Sequence, residues 1–300
     1  MFANLTVRNC NQSDQRDAEA YERLKDGAVF AQLVCRPGYC VDKDLFLAEM
    51  EDAGVVGLVN ILPELGIGRA VLECAVDRKY SLAPILRELV HPALERVREL
   101  GARRAHVSLN ATNAKEAEVL SNLGFKRVRQ YHELKLELAQ ANLEGSDEPG
   151  GSLSRLGDGE EARLAEIENC CFENTWGFNP NTVEYVAWEL KAKGNCPEDI
   201  ILSEESGEVV GYCWPVVDRG REPATSKSKG RIYMLGVRPT HRGRGLGRRL
   251  LLAGMRQLKE KGLETVEITV DSQNVAAVGL YRSLGFEVVE DTLWYEKIID

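Results

Sequence analysis

Residues 100–128, LGARRAHVSLNATNAKEAEVLSNLGFKRV, lie over residues 261–289, KGLETVEITVDSQNVAAVGLYRSLGFEVV, at a constant offset of 161 and without a gap. Gly101 meets Gly262, Asn113 meets Asn274, and Leu123-Gly124-Phe125 meets Leu284-Gly285-Phe286. Upstream, AGVVGLVNILPE lies over GEVVGYCWPVVD, with Gly57 against Gly211 at an offset of 154. The seven extra residues fall in the polar stretch 218–230, DRGREPATSKSKG, which has the composition of a surface loop. Chance likeness does not hold one register over so long a run, so the chain reads as a duplication. A length of 300 residues suits two copies.

Each copy carries the same coarse order. A short strand (LTVRNC, SLSRL) leads into polar helices and then a hairpin, which in the second copy runs 200–203 to 209–217 and turns on Ser206-Gly207. An apolar strand follows at 231–237. Next comes an amphipathic helix with Leu246, Leu250, Leu251, Met255 and Leu258 on one face, stopped by Gly262. TVEITV alternates Val266, Ile268 and Val270 to one side of a strand. A second helix over about 274–284 ends at Gly285, and a final pair of strands is expected to close the copy. The fold class is therefore α/β with a mixed sheet in each of two tandem domains. The expected boundaries are a first domain over 1–140, a Gly/Ser/acid-rich linker over 141–152, and a second domain over 153–300.

Composition removes several classes of function. The net charge is −9, spread over both halves, so neither nucleic acid nor an anionic membrane finds a general electrostatic footprint. No apolar run reaches the ~18 residues of a membrane span. The N-terminus lacks the basic-then-apolar pattern of a secretory signal, so the expectation is a cytoplasmic protein with reduced thiols. Cys10, Cys35, Cys40, Cys74, Cys170, Cys171, Cys196 and Cys213 form no C-x-x-C. His91, His106, His132 and His241 show no zinc spacing, and no metal is expected.

The chemistry points to 240–251, THRGRGLGRRLL. This stretch lies between a strand and its helix, where unpaired N–H groups and the positive dipole end are presented. Gly243, Gly245 and Gly247 remove side chains that would hold a ligand off those amides. Arg242, Arg244, Arg248 and Arg249 add positive charge in an acidic protein. The combination suits a pyrophosphate. It is not a Walker A loop, because no Lys-Ser/Thr follows, and its G-x-G-x-G spacing is not the dinucleotide fingerprint.

LGVRPTHRGRGLGRRLL resembles motif A of the GCN5-related N-acetyltransferases (GNAT), Gln/Arg-x-x-Gly-x-Gly/Ala, through Arg242, Gly245 and Gly247. NVAAVGLYRSLGF resembles their later motif through Asn274, Ala277, Tyr281, Gly285 and Phe286. The resemblance implies two tandem acyl-CoA N-acyltransferase domains and acetyl-coenzyme A (acetyl-CoA) as co-substrate. It implies that acetyl-CoA lies where two parallel strands splay. The backbone of Leu235, Gly236 and Val237 would bind the pantetheine arm. Arg242, Gly243, Arg244, Gly245, Leu246, Gly247 and Arg248 would cap the pyrophosphate, and Asn274 would touch the arm or its loop. The amine of a small molecule would attack the thioester directly in a ternary complex, with proximity supplying most of the rate. Tyr281 would give a proton to the departing thiolate.

Many relatives place a Glu on the strand before motif A; RIYMLGV has no acid. Glu267, with Asp271 on the same face of the next strand, is the candidate base, against a reading as solvated strand charges. An α-amine (pKa ~7.7–8.0) needs less help than a lysine (~10.4). On the acceptor side, CCFENTWGFNPNTVEYVAW offers Phe172, Asn174, Trp176 and Phe178, the last three being the candidate substrate contacts, against a reading as core plus turn. At offset 161, Arg242, Gly245, Gly247 and Tyr281 fall on Ser81, Pro84, Leu86 and Leu120. Pro84 has no N–H to give, so the first copy is expected to be degenerate and non-catalytic. The competing functions are acetylation of protein N-termini and a non-catalytic acyl-CoA-sensing or interaction module.

Overall fold

The computed structural model describes residues 5–25, 28–143, 151–192, 196–218 and 229–299. Residues 144–150 of the expected linker and 219–228 of the polar insertion lie outside the described residues. The first repeat runs β1 (Leu5–Asn9), α1 (Gln15–Leu24), α2 (Phe30–Val34), α3 (Val41–Asp44), β2 (Leu45–Met50), β3 (Gly54–Glu64), β4 (Arg69–Val76), α4 (Leu82–Glu99), β5 (Arg104–Asn110), α5 (Ala114–Asn122) and β6 (Lys126–Glu137). The second runs β7 (Ser152–Arg155), α6 (Glu161–Phe172), α7 (Val183–Ala192), β8 (Ile201–Glu205), β9 (Glu208–Asp218), β10 (Lys229–Val237), α8 (Leu246–Glu260), β11 (Thr265–Asp271), α9 (Val275–Ser283) and β12 (Glu287–Ile298).

The duplication is visible residue by residue. Adding 161 to the bounds of β5, α5 and β6 gives the bounds of β11, α9 and β12. The expected closing pair of strands is instead one 12-residue strand, β12, with β6 its counterpart. Nothing breaks 287–298: the stretch holds neither Gly nor Pro, so the ladder continues through it.

Two compact units result, one comprising Met1–Gln130 with Asp291–Asp300 and the other Tyr131–Glu290. The first has strand order β1-β2-β3-β4-β5-β12, and the second β7-β8-β9-β10-β11-β6. Each last strand thus comes from the other repeat: β5 pairs Thr292–Ile298 of β12, and β11 pairs Tyr131–Glu137 of β6, both antiparallel.

In the second unit α8 buries Leu246, and packs Leu250, Leu251, Met255 and Leu258 against Val266, Ile268 and Val270 of β11 and Ile232 of β10. Gly254 lets α8 approach β9. A methyl there would sit 2.6 Å from Cys213 Sγ and 3.1 Å from Ile232 Cδ1. Gly254→Ala is therefore expected to cost about 1–3 kcal/mol by overpacking, read as a lowered Tm. An unchanged or raised Tm would show that β9 yields freely. The opposite face of β9 and β10 packs a separate core of Leu164, Ile167, Cys171, Val186, Tyr212 and Trp214 under α6 and α7. The hairpin β8–β9 turns on Ser206 and Gly207, both at positive φ (51° and 84°), as a two-residue turn matching strand twist requires.

Candidate active site

β10 and β11 run parallel, but their pairing covers just Lys229–Arg231 against Thr265–Glu267. β10 continues to Val237 beside β9, and β11 to Asp271 beside β6, without pairing each other, so the two strands part. A β-bulge sits at that point: β10 slips by one residue against β9 between Ile232 and Met234, leaving Tyr233 as the extra residue. The bulge breaks alternation. Ile232 packs toward α8, Tyr233 and Met234 both pack under α6 and α7, and Leu235 returns to the α8 side. β4 pairs β3 with no such shift, so Tyr233 has no counterpart in the first repeat: it is one of the seven extra residues, which therefore do not all fall in 218–230.

From the free end of β10 the chain makes one 3-10 turn (Pro239–His241) and enters α8 through the glycine loop. Gly243 and Gly245 have φ of 76° and 81°, the left-handed region that a side chain disfavours. Among the described residues, the backbone amides of 243–248 donate to no protein acceptor; the first amide of the helix to do so is Arg249, to Gly245 O at 3.1 Å. Six consecutive N–H groups are thus unsatisfied at the mouth of the splay. Arg242 braces the loop: its Nε donates to Val237 O (3.1 Å) and its Nη2 to Cys171 O (2.7 Å). Arg248 reaches Ser283 Oγ at 3.3 Å, and Arg244 donates to Thr240 O at 3.2 Å.

The first repeat shows what loss of the glycines does. α4 begins at Leu82, so Leu82, Ala83 and Pro84, which match Gly243, Arg244 and Gly245, are already helical. Leu86 and Leu120, matching Gly247 and Tyr281, are buried core residues.

Tyr281 lies on α9 with its ring buried against the α8 core, 5.9 Å from the Phe286 ring. Burial pushes the phenol above its ordinary value, so it holds its proton at neutral pH. Asn274 caps α9, its side chain accepting from Ala277 N at 3.2 Å.

The structure does not bring Glu267 to Tyr281. Val266, Ile268 and Val270 point into the core that holds Tyr281, and Glu267 points to the other side of β11. There its carboxylate meets Arg231 at 3.2 Å, and the same guanidinium also binds Glu133 at 2.8 Å. Asp271 accepts from Gln273 N at 2.9 Å in the turn before α9. Of the acceptor-side residues, Asn174 is exposed. Trp176 packs 6.2 Å from Tyr131, and Phe178 5.5 Å from Phe172. Cys171 is buried, and burial pushes its thiol up to about 12, which leaves it no nucleophile.

Two buried acids, Glu168 and Glu189, belong to no sequence motif. Glu168 is 1% exposed and Glu189 7%. Both stand on apolar helical stripes, Glu168 with Leu164, Ile167 and Cys171, and Glu189 with Val186 and Leu190. An acid at a core position of such a stripe is the signal that could have found them. Burial, with repulsion from Glu189, pushes the Glu168 carboxyl up to about 8 from 4.5. Below pH ~4.5 both folded and unfolded chains hold that proton. As pH rises toward 8 the unfolded chain releases it first, so stability is lost across this window. Glu168→Gln is therefore expected to raise Tm relative to wild type more at pH 8.5 than at pH 5. A constant difference would show that Glu168 does not titrate there.

The sequence profile of the Acetyltransferase (GNAT) family matches residues 162–286. A mycothiol acetyltransferase of Paenarthrobacter aurescens is 32% identical over 83% of this chain and 75% of its own. The chain belongs to the GNAT acetyltransferase family. A second mycothiol acetyltransferase, from Nocardia farcinica, is 28% identical over 95% of both chains. Among solved structures, a GCN5-related N-acetyltransferase from Sphaerobacter thermophilus shares the fold with a TM-score of 0.73, at 22% identity over 98% of this chain and 96% of that one. A tandem GNAT protein from the clavulanic acid biosynthesis pathway has a TM-score of 0.73 at 15% identity, covering 99% of each. The expected fold class, mixed α/β in tandem GNAT form, and the enzyme class, acyltransferase, both hold for this acetyltransferase. No helix among the described residues is long and apolar enough to cross a membrane.

Proposed function

We propose that the second repeat moves an acetyl group from acetyl-CoA to a primary amine of a small molecule, by direct attack in a ternary complex. The observation that carries this reading is the row of unsatisfied amides at 243–248 beside the parted strands. Such amides, at the positive end of α8, match the two phosphates of a coenzyme A pyrophosphate. From there the pantetheine arm runs along the free edge of β10, past Val237, Gly236 and Leu235, as an added strand. A methyl at Gly236 would meet Tyr212 at 2.7 Å and Cys171 at 2.9 Å, which keeps this segment bare. Holding both reactants in one cleft supplies the proximity term. As the tetrahedral adduct collapses, the carbon–sulfur bond breaks and the Tyr281 hydroxyl protonates the thiolate.

The first repeat, with α4 wound through the cradle positions and Leu120 in place of the acid, serves as a non-catalytic copy. No metal takes part in this scheme. The acceptor we favour is of the kind acted on by the relatives named mycothiol acetyltransferases, in a cytoplasmic enzyme that needs neither nucleic acid nor membrane. A panel of the unacetylated mycothiol precursor, aminoglycosides and free peptide N-termini, each with acetyl-CoA, tests it. Turnover of the precursor supports the reading. Preference for peptide N-termini would replace the acceptor class. Coenzyme binding without turnover of any amine would make the chain a sensing module.

A further inference from the structure

An amine arrives as an ammonium ion and must lose a proton before it attacks. β10 carries no acid among 231–237, and Glu267 is engaged by Arg231. The other face of β10 holds a different arrangement. Glu189 Oε1 accepts from the hydroxyl of Tyr233, the bulge residue, and from Tyr185 Oη at 3.5 Å. Glu168 accepts from Asn181 Nδ2 at 2.8 Å and faces the hydroxyl of Tyr212 on β9. Among the described residues no lysine, arginine or histidine forms an ion pair with either carboxyl. The facing titratable groups are Cys171 on α6, Tyr185 on α7, Tyr212 on β9 and Tyr233 on β10. The two arginines that act on Cys171 are committed elsewhere, Arg242 to Cys171 O and Val237 O, and Arg238 to Glu166 at 2.9 Å. Glu189 Oε1, reached by two phenol hydroxyls and paired with no cation among the described residues, gives a proton leaving the cleft a hydrogen-bonded path through Tyr233.

Its location follows from the coenzyme's path. With the pyrophosphate at 243–248 and the arm passing Val237 to Leu235, the thioester end points to 233–234, where the bulge turns Tyr233 toward α7. The first repeat, which lacks the glycine loop, lacks this device as well: it has no bulge residue, and Leu58 stands where Tyr212 does. Resting on the acetyltransferase reading above, we propose that Tyr233 and Glu189, backed by Glu168, form the proton acceptor for the incoming ammonium. One N–H bond breaks and its electron pair stays on nitrogen. The proton joins the Tyr233 oxygen as the phenol's own hydrogen passes to Glu189, which ends as a carboxylic acid. Tyr233 remains a phenol, and charge is conserved.

The test uses the full chain, acetyl-CoA and the unacetylated mycothiol precursor, or the panel amine of highest turnover where that precursor is inert. In Tyr233→Phe and Glu189→Gln, coenzyme affinity by calorimetry is expected to stay within about twofold, while kcat/KM at pH 7 falls ~10²-fold or more. The deficit shrinks as pH rises to the amine's own pKa, and Glu189→Asp recovers part of the rate. Variant pH profiles that superimpose on the wild-type profile, with Tm intact, overturn the proposal. Should a variant fail to fold, infrared difference spectra of the wild-type protein decide: a neutral carboxylic-acid band grows when the amine joins the coenzyme complex, and its absence overturns the relay. Absence of coenzyme binding in the wild type would instead remove the acetyl-transfer reading beneath it.

Discussion

Tyr281→Phe is expected to lower kcat by ~10²–10⁴ while leaving acetyl-CoA affinity within about twofold. The substitution removes one hydroxyl, and the ring keeps its place beside Phe286. Stability should therefore change little, and the loss is read in turnover. The wild-type phenol is held protonated by burial, so its own titration adds no falling limb to the rate at neutral pH. Steady-state kinetics with a calorimetric Kd check both halves. A variant with unchanged kcat would reduce Tyr281 to a packing residue and leave the leaving thiolate to solvent.

The second large effect is expected at Gly245. Its φ of 81° places a β-branched side chain in a region costing ~1–2 kcal/mol or more, and relief of that strain rotates the neighbouring amides away from a ligand. Loss of two or three charge-assisted hydrogen bonds in Gly245→Val should weaken acetyl-CoA binding by about 2–4 kcal/mol, roughly 30- to 1,000-fold. Gly279→Ala is the control. It lies on α9, outside the glycine loop, and a methyl there meets nothing within 4 Å, so affinity should hold within about threefold. Calorimetry on both variants separates the two positions. Equal losses would show that the Gly245 effect does not come from the amides of 243–248.

The glycine stretch and Tyr281 were legible in the sequence because they sit at fixed distances within a repeated strand–helix pattern. The α8 stripe and the alternation of Val266, Ile268 and Val270 were legible for the same reason: local periodicity decides them. The exchange of β6 and β12 was not, because which strand lies beside β5 or β11 is a long-range choice that leaves the alternation of each strand unchanged. Nor was the bulge. Tyr233 appears as one inserted residue only when the register of β10 against β9 is compared with that of β4 against β3. Glu267 read as a candidate base because the sequence cannot show that Arg231, itself shared with Glu133, meets it across strands. Glu168 and Glu189 were hidden among surface-type residues, although their helical stripes carried the sign of burial.

A crystal structure of the full chain grown with acetyl-CoA would test the central assignment most directly. Pyrophosphate oxygens are expected within hydrogen-bond distance of the amides of 243–248, with the arm along Leu235–Val237 and the sulfur facing the Tyr281 hydroxyl. Coenzyme seated at the start of α4 alone, or phosphates lying away from 243–248, would contradict it.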